Sequence, residues 1–362
     1  MYLRIHKTKT KLVELSKHQI ADIVPHLKEE GELERFFLQC LSTRLVDPVD
    51  GLDTFFNATL SQPKKSKTDN SALESPDTIS DEELIERNKA RDRLIQKRLI
   101  DPTTFIPTPL GRAIAGSSLS IDEGLTLFQT IEHMEMDLCL KDEIHLLYLC
   151  VSHSIANLVR PEPYNNPRWI YILQKHKHVI HLITGMTDQQ INNMQDRPDI
   201  YGGLGRVDPK IDTDMDRIYV SVILDELINE TPIADIMRKF KIDRGTIQSL
   251  QMQAATFAGQ TSKFCEIIGS GLLATTLNRF RQRLNFAART ELLGLMILPS
   301  MTKNIARKLV NVGITSPIEL AELTAAGIAA LIVNADGNEA MEDDRVAPTP
   351  KEIELAGIIL KD

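Results

Sequence analysis

From Arg244 to Ile268 the chain reads RGTIQSLQMQAATFAGQTSKFCEII. Ile247, Leu250, Ala254, Phe257, Ala258, Thr261, Phe264 and Ile268 step by three and four, which predicts a helix with one buried stripe over about six turns. The other side carries Gln248, Ser249, Met252, Gln253, Thr256, Gln260 and Lys263. A solvated face is ordinarily richer in Glu and Lys. An uncharged face of amides and hydroxyls suits either a surface that touches a nucleic-acid strand without holding it tightly, or a polar contact with another helix or domain.

The flanking residues extend both readings. Upstream, Ala234, Asp235, Ile236 and Phe240 lie on one helix, Ile242 to Gly245 make a turn, and Ile247 and Leu250 begin the next helix. That is helix-turn-helix spacing, which serves a DNA reader such as a regulator using Arg244 to Gln251, or simply two packed helices. Downstream, Arg279, Arg281, Arg283 and Arg289 follow with few acids between them. Lys303, Arg307 and Lys308 then sit beside a turn at Gly313 in a small unit reminiscent of a helix-hairpin-helix, which grips phosphates through backbone amides and basic side chains. Its hairpin, Pro299 to Thr302, lacks the glycines that let a backbone approach closely.

The composition is compatible with such a protein. The 362 residues suggest two to four domains. Aromatics make up 5%, with one tryptophan, Trp169, so the core must lean on aliphatic residues, which favours packed helices. The net charge of −8 means that nucleic-acid binding must come from local basic patches rather than from the whole chain. No apolar run approaches the roughly 18 residues of a membrane span. The basic segment Met1 to Lys17 has no apolar core, so it is not a secretory signal. The four cysteines, Cys40, Cys139, Cys150 and Cys265, form no C-x-x-C pair, which suits reduced thiols.

Other segments set the expected organisation. Tyr2 to Ile5 is strand-like. Gln62 to Ser80 has almost nothing apolar and reads as a disordered insertion. A charged helix up to about Leu99, an extended turn through Asp101 to Gly111 and a return are how a winged helix ends. Ser120 with Glu123 opens another helix. The apolar run Ile144 to Ile155 is expected to form a single central helix, Trp169 to Ile183 another, and 336–362 a polar tail.

Enzyme machinery is scarce. There is no G-x-x-x-x-G-K-[ST], H-E-x-x-H, G-x-S-x-G or EF-hand pattern. Gly202 to Arg206 is Gly-rich but reads as a loop. His178 and His181 share a helix face near His176 without a supporting ligand, so no metal site is assigned. Glu132, Glu135 and Asp137 read as a solvated face. No catalytic residue is assigned.

Taken in order, four stretches resemble the C-terminal half of the Ski2-like superfamily-2 DNA helicases, in the polymerase-theta/HELQ branch. These are Pro107 to Ala113 with Ser117 to Ser120; Asp142 to Leu149; Arg244 to Gln251 with Ala254 to Gly259; and Phe280 to Phe286 with Glu291-Leu292. The resemblance runs from about residue 1 to 335. It implies a mainly α architecture: residues 1–20 as a remnant of a second RecA-like domain, 21–115 as a winged-helix-like domain, 116–290 as a helical ratchet bundle, and 291–335 as a helix-hairpin-helix-like cap.

It further implies single-stranded or forked DNA as ligand, RecA-like motor domains upstream as partners, a nuclear location and a role in DNA repair. ATP and Mg belong to the full-length family. This chain lacks Walker A and the DExH box, so no cofactor is expected in it and alone it should not hydrolyse ATP. The DNA-facing helix of the family falls on Arg244, Gln248, Ser249, Met252, Gln253, Thr256, Gln260 and Lys263. Basic contacts fall on Arg279, Arg281, Arg283, Lys303, Arg307 and Lys308. One family arginine is missing in the cap, where Ile305-Ala306-Arg307 stands. A motor-less adaptor that binds repair partners is the alternative.

Overall fold

A computed structural model describes residues 31–47, 51, 81–137, 142–161, 164, 166–195, 209–334 and 350–361. The expectations for residues 1–20, for the insertion at 62–80 and for Gly202 to Arg206 lie outside these. Among the described residues the fold is helical, with no strand. The chain divides between Ala115 and Gly116 into two compact units.

In the first unit, α1 (Glu32–Ser42) packs against α2 (Asp81–Gln96). Leu33, Phe37, Leu38 and Leu41 of α1 meet a core that includes Ala90, Leu94, Leu99 and Ile100. Glu34 is buried in that contact and accepts from Arg93 Nε at 3.0 Å and Lys97 Nζ at 3.4 Å. The chain then turns through a loop closed by one antiparallel bridge, Ile100 to Pro107, where a wing would carry a pair of strands. The Asp101 carboxylate organises the loop by accepting from the Thr103 and Thr104 amides. α3 (Pro109–Ser117) starts so close to the loop that a Cβ on Gly111 would stand 2.1 Å from the Leu99 carbonyl oxygen. Only glycine fits there.

The second unit begins with α4 (Ile121–Asp137), whose start is capped reciprocally by Ser120 and Glu123. Its centre is α10 (Pro209–Ile228). Met215, Ile218, Tyr219, Val220, Val222, Ile223, Leu224, Leu227 and Ile228 are all buried, so α10 is covered nearly all round. The indole of Trp169 lies between the rings of Tyr164 and Tyr219, at 5.0 and 4.9 Å, and Phe240 meets Tyr219 edge-on at 5.6 Å.

Two expectations need correction here. Ile144 to Ile155 is not one helix but α5 (Glu143–Tyr148) and α6 (His153–Ala156). The break is held by donors from distant helices. Arg217 of α10 donates Nη2 to the Tyr148 carbonyl at 3.1 Å and Nε to the Val151 carbonyl at 2.7 Å. Thr261 donates to the Leu149 carbonyl at 3.3 Å, and the Ser152 hydroxyl caps α6. The carbonyls that a continuous helix would satisfy internally are satisfied from outside. Likewise, Trp169 to Ile183 divides at His176 into α7 (Pro167–Lys175) and α8 (Lys177–Thr184), followed by α9 (Asp188–Gln195).

Asp225 of α10 sits below α5. Burial, then the charge of Glu143, pushes its carboxyl up to about 6 from the ordinary 3.8, against the opposing charges of Lys175 and His176. A carboxyl raised on folding stabilises most below its unfolded value, and that contribution is lost as pH rises through the folded value. Stability should therefore fall between about pH 4 and 6 through this group. Asp225→Asn keeps an acceptor for Asn229 Nδ2, now 2.9 Å away. It is expected to stabilise the chain at pH 7 by on the order of 2 kcal/mol and to flatten that decline, as read by urea melts across pH.

α11 (Ile233–Phe240), α12 (Arg244–Ile268) and α13 (Gly271–Phe286) complete the bundle. Two single 3₁₀ turns follow, Thr290–Leu292 and Leu295–Ile297. Gly294, between them, lies so near the Thr315 carbonyl that a Cβ would come within 2.7 Å of its oxygen. Then come α14 (Lys303–Asn311), α15 (Pro317–Ala321) and α16 (Ala325–Asn334). The polar tail expected at 336–362 is also corrected. Residues 350–359 form α17 (Pro350–Ile359), which packs on α16 and buries Ala356 and Ile359 in the same core as Leu295, Leu309 and Ile328. Apolar residues at helical spacing resume after the acidic stretch, and they outweigh its polarity. No described helix is long and apolar enough to cross a membrane.

Candidate nucleic-acid interface

α12 is defined at both ends by local chemistry. The Asp243 carboxylate accepts from the Thr246 amide at 2.9 Å at its start, and Gly269 closes it at φ +103°. Thr246's hydroxyl and amide hold the exposed Asp243 carboxyl below its usual range. Ile247, Leu250, Ala254, Phe257, Ala258, Thr261 and Phe264 are buried along one side. Arg244, Gln248, Met252, Gln253, Thr256 and Lys263 are exposed on the other, with Ser249 and Gln260 half-buried. Met252 is 68% exposed.

At about 100° per residue, these eight side chains fall within roughly half the helix circumference. From Arg244 to Lys263 they extend about 28 Å at 1.5 Å per residue. No carboxylate stands in α12 before Glu266. Glu266 pairs with Lys263 at 2.9 Å on the surface, where such a pair is weak.

α13 packs along α12, and Gln251 ties the two by donating to the Leu284 and Asn285 carbonyls at 2.8 and 3.1 Å. Beside this seam lies an open cleft of about 360 Å³ lined by Gly116, Ser117, Ala255, Thr256, Gly259, Gln260, Lys263, Arg281 and Asn285. Gly259 lets the Arg281 side chain lie across α12, since a Cβ there would stand 3.2 Å from Arg281 Cδ. The structure thus brings Thr256, Gln260, Lys263 and Arg281 to one place. Ser117, Gly259 and Asn285 join them unforeseen; their only advance signal was membership of the matching stretches. The lining has no carboxylate to hold Mg²⁺ beside a nucleotide. With no phosphate-binding loop in the sequence, ATP does not fit this cleft.

The other basic residues are placed differently. Arg279 is exposed on α13. Arg283 is corrected: it is 5% exposed, pairs with Glu143 at 2.7 Å and lies over the Phe280 ring. Its spacing from Arg279 and Arg281 hid this, because its partner lies 140 residues away. Arg307 is bound by Glu230, at 2.5 and 2.9 Å, and by Glu291. Glu230 also accepts from the Arg289 amide at 3.0 Å. Burial works to raise the Glu230 carboxyl, and these donors overcome it and hold it low. Lys303 is half-buried and donates to the Ala287 carbonyl at 2.6 Å, and burial pushes it down. Arg307 and Lys303 fasten the C-terminal helices to the bundle. Lys308 is half-buried on α14.

This division makes a prediction. Arg283→Gln should lower the urea midpoint, at about 1–3 kcal/mol for a half-exposed partner, while leaving the salt dependence of oligonucleotide binding intact. Arg281→Gln should leave the midpoint alone and reduce the salt slope by about 0.7.

Among the described residues no three His, Cys, Asp or Glu side chains are grouped to hold a metal. His176 Nδ1 lies 3.4 Å from Asp142 Oδ2, and His181 Nδ1 lies 2.6 Å from the Met186 carbonyl oxygen.

The family model for the helical domain of the DNA polymerase theta helicase-like region matches residues 122–284, which contain α12 and all of α13 up to Leu284. The chain carries a POLQ/HELQ-like helicase region. It is 30% identical to DNA polymerase theta of Drosophila melanogaster over 299 residues, 80% of this chain and 14% of that one. It is 28% identical to DNA polymerase theta of Caenorhabditis elegans over 216 residues, 58% and 12% of the two chains. It is 24% identical to Helicase POLQ-like of Homo sapiens over 327 residues, 87% and 28% of the two chains. The POLQ/HELQ-type region here therefore spans less than a third of each of these relatives.

Proposed function

We propose that the chain is the DNA-binding part of a polymerase-theta/HELQ-type helicase that guides a single strand along α12 during DNA repair in the nucleus. The observation that carries this is the solvent-facing side of α12, which holds no carboxylate from Arg244 to Cys265, with Lys263 and Arg281 at its cleft. Amides and hydroxyls exchange hydrogen bonds with a strand at little net cost. A few cations hold its phosphates in a salt-dependent way. Weak contacts of this kind let a strand advance, where tight ones would arrest it.

In this reading residues 21–115 act as the winged-helix-like domain, 116–290 as the ratchet bundle, and 291–335 as the cap. RecA-like motor domains that bind ATP and Mg supply the force from another part of the protein. An ATPase assay on the purified chain with single-stranded DNA tests the division of labour. No turnover above buffer is expected; robust turnover would overturn it.

A further inference from the structure

The C-terminal helices have a core of their own. Leu292, Leu295, Leu309, Leu320, Ile328 and Ile359 are buried together in it. Among the described residues, every apolar side chain packed into that core lies at Phe286 or beyond. Apolar burial is non-directional. It holds this module together without fixing how the module sits on the bundle.

That orientation falls to polar groups, and several converge on Glu230, in the turn between α10 and α11. Arg307 of α14 closes its guanidinium on both carboxylate oxygens, Nη2 at 2.5 Å and Nε at 2.9 Å. A bidentate contact of this kind fixes angle as well as distance. The Arg289 amide donates to the same carboxylate at 3.0 Å, and the charge of Lys303 acts on it too. Glu230 and Arg307 are both part-buried, so solvent screens the pair incompletely.

The backbone at the joint fits a pivot. α13 closes at Ala287 in the left-handed region, at φ +49°, and the Ala288 amide bonds back to the Arg283 carbonyl at 3.1 Å. Ala288 already belongs to the C-terminal core. Glu230 is left-handed as well, at φ +69°. Neither residue is glycine, so both are held where a Cβ is strained. We infer that Glu230 is the clasp of a releasable module: it locks the module that begins at Ala288 onto the bundle, and its release lets that module turn about Ala287 with its core intact. The inference does not depend on what the chain binds.

Residue-resolved hydrogen exchange on the full chain tests it. Glu230→Gln keeps the size of the side chain and removes its charge. The amides to watch are those of Ala287 and Ala288, because their own acceptors are the Leu284 and Arg283 carbonyls and not Glu230. In E230Q they should exchange about 10-fold faster, the effect of losing one charge-assisted hydrogen bond, while α10, α14 and α16 keep wild-type protection. Arg307→Lys reports from the module's side: one ammonium cannot match the planar fork, so its rates should fall between wild type and E230Q. Glu291→Gln removes the other partner of Arg307, which lies inside the module, and should leave both amides as in wild type. Unchanged exchange at Ala287 and Ala288 in E230Q overturns the inference. Equal loss of protection in α14 and α16 does so too, since Glu230 would then support the module's fold rather than its attachment. An E291Q variant as fast as E230Q also overturns it, because the grip would then lie within the module.

Discussion

Arg217→Met is expected to destabilise the chain by about 3–5 kcal/mol, the usual cost of removing one partner from a buried charged network. Arg217 is 5% exposed, and its guanidinium serves three acceptors and faces a buried carboxylate. It donates to the Tyr148 and Val151 carbonyls and, at 2.6 Å, to the Tyr148 hydroxyl, and it lies 3.8 Å from the Asp214 carboxylate. Tyr148 in turn donates to Asp214 at 2.6 Å. Burial, above all, raises the Tyr148 phenol far beyond its ordinary range, so it stays a neutral donor.

Methionine fills much of the volume but removes the donors to the Val151 carbonyl and the Tyr148 hydroxyl and takes the buried countercharge from the Asp214 carboxylate. Arg217→Lys should recover only a small part, because one ammonium cannot span the same acceptors as a planar fork. Urea unfolding measures both variants. A loss under about 1 kcal/mol for R217M would mean that the break between α5 and α6 is not held from α10.

The second large effect is on binding. Met252→Glu, Thr256→Glu and Gln260→Glu, combined, place three carboxylates along the exposed side of α12. None of the three side chains is in the buried stripe. The Thr256 hydroxyl donates to the Met252 carbonyl one turn away, and Gln260 Nε2 donates at 3.4 Å to the Ser118 carbonyl; both bonds are exposed to solvent. Surface changes of this kind keep stability within about 0.5 kcal/mol per site. Like charges set against a phosphate backbone cost several kcal/mol. Single-strand affinity should therefore fall at least about 100-fold while the far-ultraviolet spectrum and melting temperature hold. A fold-intact triple variant that binds like wild type would move the strand off α12.

Much of this was legible before any coordinates. The side of α12 that faces solvent follows from a period of 3.6 and from the residues themselves. The caps at Ser120 and Asp243 follow from side chains within three residues of the amides they bind. What could not be read depends on partners remote in sequence. Arg283 and Arg307 look like DNA contacts until Glu143 and Glu230 are found beside them. The apolar run from Ile144 looks like one helix until Arg217 and Thr261 are seen taking its carbonyls. The cleft itself needed the glycine at 259 to bring Arg281 of one helix over another. Charge was the weakest guide: a net −8 hid a helix face with no carboxylate from Arg244 to Cys265, because most of the acids lie elsewhere.

The claim that a single strand lies on α12 is tested most directly by the salt dependence of oligo(dT) binding. Wild type and the double variant Lys263→Gln, Arg281→Gln should be compared at several salt concentrations. Each phosphate contact contributes about −0.7 to the slope of log K against log salt, so the double variant should lose about 1.4 of the wild-type slope. It should also show no preference among duplex sequences. Identical slopes for the two proteins, or a duplex sequence preference centred on Arg244 to Gln251, would contradict the account.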